Sequence, residues 1–207
     1  MRTEFINAIN IHQSAFGLDL ADDAIERLAD YYELIREHNE FLHLVGPSSA
    51  EDFATRHILE SLTLLEYLPN GIWFADVGTG GGLPSIPCLL VREDLKAVLI
   101  ESKIKKSKFL ILAVEKLKLK HRTRISATQF AETNLGHCSA VTCRALDKFT
   151  EKLPRLLSWS GKSQLLFFGG ENLRSVLQEN RVEFVQKLMP LSEQRFLFVS
   201  NSSKRVS

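Results

Sequence analysis

The residues best suited to chemistry lie where an apolar run, Ile72-Trp73-Phe74-Ala75, gives way to Asp76-Val77-Gly78-Thr79-Gly80-Gly81-Gly82-Leu83-Pro84-Ser85-Ile86-Pro87. That order of types reads as a strand, a tight turn and the start of a helix. Glycine at 78 and 80 permits positive φ and lets a ligand lie directly on the main chain, while the following helix start presents unpaired N–H groups. A dinucleotide fingerprint, G-x-G-x-x-G, would need a third glycine where Leu83 stands, so a pyrophosphate ligand is the weaker reading. Asp76 would repel phosphates but suits a cofactor bearing positive charge, such as the sulfonium and amino groups of S-adenosylmethionine. Further on, a second apolar run, Ala97-Val98-Leu99-Ile100, ends in Glu101, and a carboxylate at a strand tip can accept hydrogen bonds from both ribose hydroxyls. Glycine-rich turns without ligands are the bland alternative. Asp76 and Glu101 in step weigh against it.

Positioning these groups requires a sheet. From Ile72 onward, apolar runs alternate with helical patterns: strand 72–77, a helix from Leu83, strand 97–101, helix 104–118, strands 122–126 and 139–143, helix 147–158, strand 164–168 and helix 171–179. The alternation predicts an α/β fold, a mostly parallel Rossmann-like sheet with helices on both faces and a ligand crevice at the carboxyl ends of the strands. A final pair, 182–189 and 195–200, with Pro190 between them, reads as an antiparallel edge hairpin. Ahead of the sheet, helices are expected over 3–16, 22–43 and 50–66, the second with Ile25, Leu28, Ala29, Tyr32 and Ile35 at helical spacing. The expected organisation is an N-terminal helical cap, 1–66, on a 67–207 Rossmann-like domain, together one compact unit. Pro84 suits the first turn of its helix, whereas Pro87, a turn later, is costly there.

Composition narrows the classes. The 207 residues are 44% hydrophobic, enough for a sizeable core without staples. Cys88, Cys138 and Cys143 form no CxxC pair and lack neighbouring histidine pairs, which argues against a disulfide framework and a zinc site. They read as small apolar residues, and no metal is expected. No signal-like apolar segment opens the chain, and no eighteen apolar residues run together, so a cytoplasmic, membrane-free and monomeric protein is expected. Net charge is +1, yet the window from Lys103 to Arg124 holds nine Lys or Arg against Glu115 alone, +8 against −7 for the remainder. Such a cluster either grips phosphates through counterion release or is a solvated helix face, and both readings stand. His57 reads as packed against the sheet or as lining a pocket, and Arg144 as a pocket residue or a structural ion-pair arginine. Phe167, Phe168, Phe196 and Phe198 read as core.

Four motifs in order, Arg56-His57-Ile58-Leu59-Glu60-Ser61-Leu62, Asp76 through Pro87, Glu101-Ser102-Lys103-Ile104-Lys105-Lys106-Ser107-Lys108-Phe109-Leu110 and Cys143-Arg144-Ala145, resemble the bacterial ribosomal RNA small-subunit methyltransferase G family, also called glucose-inhibited division protein B. The resemblance spans nearly the whole chain. It implies a class I S-adenosylmethionine-dependent methyltransferase fold with a helical cap, and methylation at N7 of a guanine near the decoding centre of small-subunit ribosomal RNA. It assigns Gly78 and Leu83 to the cofactor loop, with Asp76 and Gly80 beside them, Glu101 to the ribose, and Arg144 to the pocket shared by cofactor and substrate. Ala131 and Glu132 align with the adenine-contacting pair, a register two residues away being the alternative. Two departures stand out: His38-Asn39 and His43-Leu44-Val45 where many members carry Trp-Asn and Asn-Leu-Thr, and Gly169-Gly170 where many carry Lys-Gly.

The implied chemistry explains an absence. Guanine N7 has an in-plane lone pair and no proton at neutral pH, so methylation there needs no general base, and the sequence shows no Ser/His/Asp or Cys/His arrangement. Arg144 would position the guanine O6 or a phosphate, while Lys103, Lys105, Lys106 and Lys108 would clamp flanking backbone. Because A-form duplex hides N7 in a deep, narrow groove, the target belongs in a loop or is extruded. A nucleotide-dependent oxidoreductase on a similar sheet and a non-catalytic RNA-binding relative are the alternatives.

Overall fold

The computed structural model describes residues 1–144 and 149–200. Seven strands form one sheet: β1 (Trp73–Val77), β2 (Lys96–Ile100), β3 (Thr123–Ser126), β4 (Cys138–Arg144), β5 (Gln164–Gly169), β6 (Phe184–Leu188) and β7 (Phe196–Ser200). Their order is β3-β2-β1-β4-β5-β7-β6. The first five pair in parallel, and β7 runs antiparallel to both β5 and β6. The expected hairpin therefore exists, with its second strand inserted beside β5 and its first strand left at the edge.

Alternation along the central strands sorts side chains onto two cores, as period-two geometry requires. Phe74, Ala97 and Leu99 face one core, which they share with Phe5, Leu28 and Phe53 of the N-terminal helices and with Leu89 and Leu110. Ala75, Val77, Val98 and Ile100 face the other, with Leu153 and Leu156 of helix Phe149–Trp159 and Leu173 and Leu177 of helix Glu171–Glu179. Cys88, Cys138 and Cys143 are buried. Of the expected helix over 147–158, residues 147 and 148 lie outside the described residues, as does Ala145 of the fourth motif.

The N-terminal helices are Arg2–His12, extended by a 3-10 turn Gln13–Phe16 and closed by Gly17 at φ 69°, and Asp22–Leu42. The third runs over 50–66: its start, Ala50–Asp52, is capped by Ser49, whose hydroxyl accepts the Asp52 N–H at 3.0 Å. Its middle, Phe53–Leu59, is π-helical, a local widening often found at functional sites. The helix after the glycine loop begins at Ser85 rather than Leu83. Pro87 consequently falls in the first turn, where no intrahelical N–H bond is lost, and the cost expected for it does not arise. Among the described residues, no helix is long and apolar enough to cross a membrane.

Candidate functional site

The register of the parallel pairs brings the strand tips to one level. Val77 pairs with Ile100 on one side and Cys143 on the other, so Gly78, Glu101 and Arg144 each stand one residue beyond the same layer. They line a cavity of about 440 Å³ together with Thr79, Gly80, Gly81, Leu83, Lys103 and Lys106. The remaining wall comes from elsewhere: Leu44-Val45-Gly46, His57, Gln129 and Lys152.

The loop is held from below. Gly78, Gly80 and Gly82 take φ of 70°, 59° and 102°, conformations that favour glycine. A Cβ at Gly80 would meet no atom nearer than 4.0 Å, whereas one at Gly81 would lie 2.9 Å from Ile35 Cδ1. Gly80 thus borders open space while Gly81 is pressed against the cap. Tyr31 donates its hydroxyl to the Gly81 carbonyl at 3.0 Å, and Asn39 fixes Val45 by accepting its N–H and donating to its carbonyl. Asn39, within one of the sequence departures, therefore shapes the 44–46 wall.

Asp76 corrects one expectation. It is fully buried beneath the loop and does not line the cavity, because its place on β1 turns it toward the cap-side core. Its Oδ2 accepts from Thr79 Oγ1 at 2.6 Å and from Ser85 Oγ at 2.7 Å, while Oδ1 has no partner. Burial pushes its pKa up to about 7, against the pull of the two hydroxyls. Glu101 does reach the wall: its Oε2 accepts the Gly80 N–H at 3.0 Å and its Oε1 the Lys103 N–H at 2.7 Å.

Ala131 and Glu132 also fall off the wall. They sit in a 3-10 turn, Phe130–Glu132, that is anchored by buried Phe130 against Trp159. Gln129, the residue at the alternative register, faces the cavity instead. Of the basic residues, Lys103 and Lys106 line the cavity, and Lys106 Nζ donates to the His43 carbonyl at 2.8 Å. Lys105 and Lys108 are exposed beyond it. Arg122, counted in the basic window, is a core brace: its guanidinium donates to the carbonyls of Leu89, Arg92 and Leu95. At the other departure, Leu173 fills the space a side chain on Gly169 would occupy, 2.5 Å from an added Cβ.

Sequence reasoning gave no role to Glu60 or Arg195. Buried Glu60 accepts from Arg144 Nη2 at 3.0 Å and from Arg195 Nε at 2.7 Å. The structure thus makes Arg144 both an ion-paired and a pocket residue. Likewise, His57 both packs on Phe53, with ring centroids 5.2 Å apart, and lines the cavity. A carboxylate inside an apolar helical stretch was the available signal, but its partners lie 84 and 135 residues away.

Sheet order and glycine loop define a Rossmann-like fold. A solved structure with this fold is that of M. jannaschii TYW2 in complex with AdoMet, 12% identical, with a TM-score of 0.53 over 69% of this chain and 74% of that one. The chain belongs to the rRNA small subunit methyltransferase G family, whose model, GidB, matches residues 24–200. It is similar to the ribosomal RNA small subunit methyltransferase G of Neisseria meningitidis serogroup C (strain 053442), 33% identical over 76% of this chain and 72% of the relative. That of Sorangium cellulosum (strain So ce56) is 34% identical over 80% and 72%.

Proposed function

We propose that the protein transfers a methyl group from S-adenosylmethionine to N7 of a guanine in small-subunit (16S) ribosomal RNA, acting as a cytoplasmic monomer. The observation that carries this reading is the convergence of Gly78, Glu101 and Arg144 on one cavity in a chain of this family. The residues suit the cofactor: an open main-chain edge at Gly80, a carboxylate on the wall, and a buried Arg144 Nη1 without a partner. When bound, S-adenosylmethionine supplies an electrophilic methyl group on a sulfonium.

The chain's own residues bind and orient. Gly78, Gly80 and Leu83 offer the loop surface, Glu101 accepts from ribose hydroxyls, and Gln129, in place of Ala131 and Glu132, contacts the adenine edge. Asp76 acts through its charge beneath the loop rather than by contact. Arg144 holds the guanine O6 or a neighbouring phosphate, and Lys103, Lys105, Lys106 and Lys108 grip the backbone. No residue needs to remove a proton from N7. Residues 1–66 serve as a cap that completes the pocket on the 67–207 transferase unit, a division supported by the Leu44–Gly46 and His57 contributions to the wall.

Mass mapping of small subunits lacking the modification, after incubation with protein and labelled methyl donor, tests the reading. One labelled 7-methylguanine in the small-subunit RNA is expected. Donor-product binding without incorporation would instead support a non-catalytic relative, and binding of NAD a nucleotide-dependent oxidoreductase.

A further inference from the structure

Glu60 begins the turn that follows the π-helical stretch, and its side chain is 2% exposed. Through Oε2 to Arg144 Nη2 and Oε1 to Arg195 Nε, one carboxylate joins the cap, the tip of β4 and the segment leading into β7. Arg144 Nη2 also donates to the Arg56 carbonyl, and the guanidinium lies over the Phe168 ring at 5.4 Å. One end of the guanidinium is therefore fully engaged. The other, Nη1, is buried and has no partner among the described residues, on a side chain that lines the cavity.

A guanidinium recruited for stability alone is normally satisfied at both ends, since a buried unpaired donor costs free energy. Nor is a buried carboxylate between two arginines an efficient way to stabilise a fold: apolar replacements of similar volume often do as well or better. The arrangement is economical only if the unpaired end has a use. His57, one turn before Glu60, adds to this: it lines the same cavity, and its Nδ1 is also buried without a partner. Burial, with the charges of Arg144, Arg56 and Arg195, lowers its pKa to about 4, so its ring is neutral at pH 7 and does not repel Arg144.

We propose that Glu60 is a positioning residue for methyl transfer: by bracing Arg144 against Arg195, it fixes the guanidinium at the cavity wall so that its unpartnered Nη1 donates to an oxygen of the bound substrate, leaving the methyl-accepting nitrogen free. The proposal rests on the reading of this cavity as the transfer site. It makes Glu60 act through Arg144, which a double-mutant cycle detects.

The cycle compares Glu60→Gln, Arg144→Lys and the double variant, read as kcat/KM on small subunits, donor-product affinity and thermal midpoint. Glu60→Gln retains size and one acceptor oxygen but loses the charge. It is expected to lower kcat/KM by about tenfold or more, the worth of a charge-assisted hydrogen bond. The double variant should then be no worse than Arg144→Lys alone. Multiplying effects, or wild-type kinetics for Glu60→Gln, would overturn the proposal, as would a loss of activity that only follows a fall in the thermal midpoint. If Glu60→Gln does not fold, Glu60→Asp, which keeps the charge but shortens the reach, carries the same comparison. A wild-type protein that binds donor product but leaves small subunits unmethylated would overturn the substrate reading and not the brace, which is then decided by the same cycle on donor-product affinity.

Discussion

Replacing Asp76 with Asn should stabilise the protein at pH 8, lose that advantage by pH 5, and weaken donor binding at pH 8 but not at pH 5, where the carboxyl is already neutral. Asp76 is fully buried and its pKa stands at about 7 against 3.8 for a free carboxyl, chiefly because burial disfavours the charge. The sign follows from linkage. A carboxyl whose folded pKa is raised binds its proton more tightly in the folded state, so its penalty is absent below about pH 4, grows as pH rises, and is complete once pH passes 7. Between pH 5 and pH 8 those two values give a stability loss of about 2 to 3 kcal/mol. Asparagine escapes that loss. Its carbonyl can still accept from Thr79 and Ser85, while its amide takes the place of Oδ1, which already has no partner. Leaving that amide unpaired costs about 1 to 3 kcal/mol at every pH. The net change is therefore stabilising near pH 8 and neutral or unfavourable near pH 5. Urea unfolding followed by the fluorescence of Trp73 and Trp159, at pH 5, 6.5 and 8, measures the gap between variant and wild type. A gap that does not vary with pH would refute the raised pKa. Titration with S-adenosylmethionine and with S-adenosylhomocysteine, which lacks the sulfonium charge, then isolates the electrostatic role: the preference for the charged ligand should fall in Asp76→Asn. An unchanged preference would leave Asp76 as a loop anchor only.

Glu101→Ala should reduce donor-product affinity by about 1.5 to 3 kcal/mol, since it removes a charged acceptor from the wall and releases the N–H groups of Gly80 and Lys103; calorimetric titration showing wild-type affinity would contradict this placement. Replacing exposed Lys105 and Lys108 with Gln should reduce the salt dependence of RNA binding by about 1.4 in the log–log slope, two single-strand phosphate contacts, and leave donor-product affinity unchanged. An unmoved slope would assign both to a solvated face. Tyr31→Phe should leave the buried Gly81 carbonyl without its 3.0 Å donor and lower stability by about 1 to 2 kcal/mol. Donor-product affinity should weaken in parallel, and a stability change with no effect on affinity would separate the cap contact from the loop's binding role.

What the sequence disclosed and what it concealed have physical causes. Strand tips were legible because in a parallel sheet apolar runs end where the chain leaves the core, so Gly78 and Glu101 announce themselves by type and position. Alternation assigns a face but not a depth. Asp76 was placed correctly at the end of β1, but whether its carboxylate met a ligand or the loop's underside depended on Thr79 and Ser85 folding over it. The segment over 50–66 was legible as a helix, yet its π-helical middle displaces the 3.6-residue stripe. Glu60 and Ser61 lie buried beside Leu59 and Leu62, in a run where every residue from Ile58 to Leu64 is buried, so no exposed face marks a stripe and the carboxylate's burial does not show in the period. The segment 127–132 was ambiguous for a related reason: a short 3-10 turn rotates each residue by a different angle from the helix or strand assumed in alignment, which leaves Gln129 on the wall and Ala131 off it.

The cap and the sheet meet at the pocket through polar contacts as well as through a shared core. Tyr31 holds the loop carbonyl, Lys106 reaches from helix Ile104–Lys116 to the His43 carbonyl, and Glu60 holds Arg144. Each contact places a donor or acceptor of one part against the main chain or charge of the other, within two residues of a cavity-lining residue. Apolar packing alone tolerates small slips, because dispersion and burial are non-directional. Directional bonds do not. On the proposed reading, a transfer to guanine N7 needs no general base and rests on the alignment of donor and acceptor. Rigid registration of cap to sheet therefore does for this site what a proton-transfer group does for others, and the departures at 38–45 are accommodated because Asn39 keeps its grip on Val45.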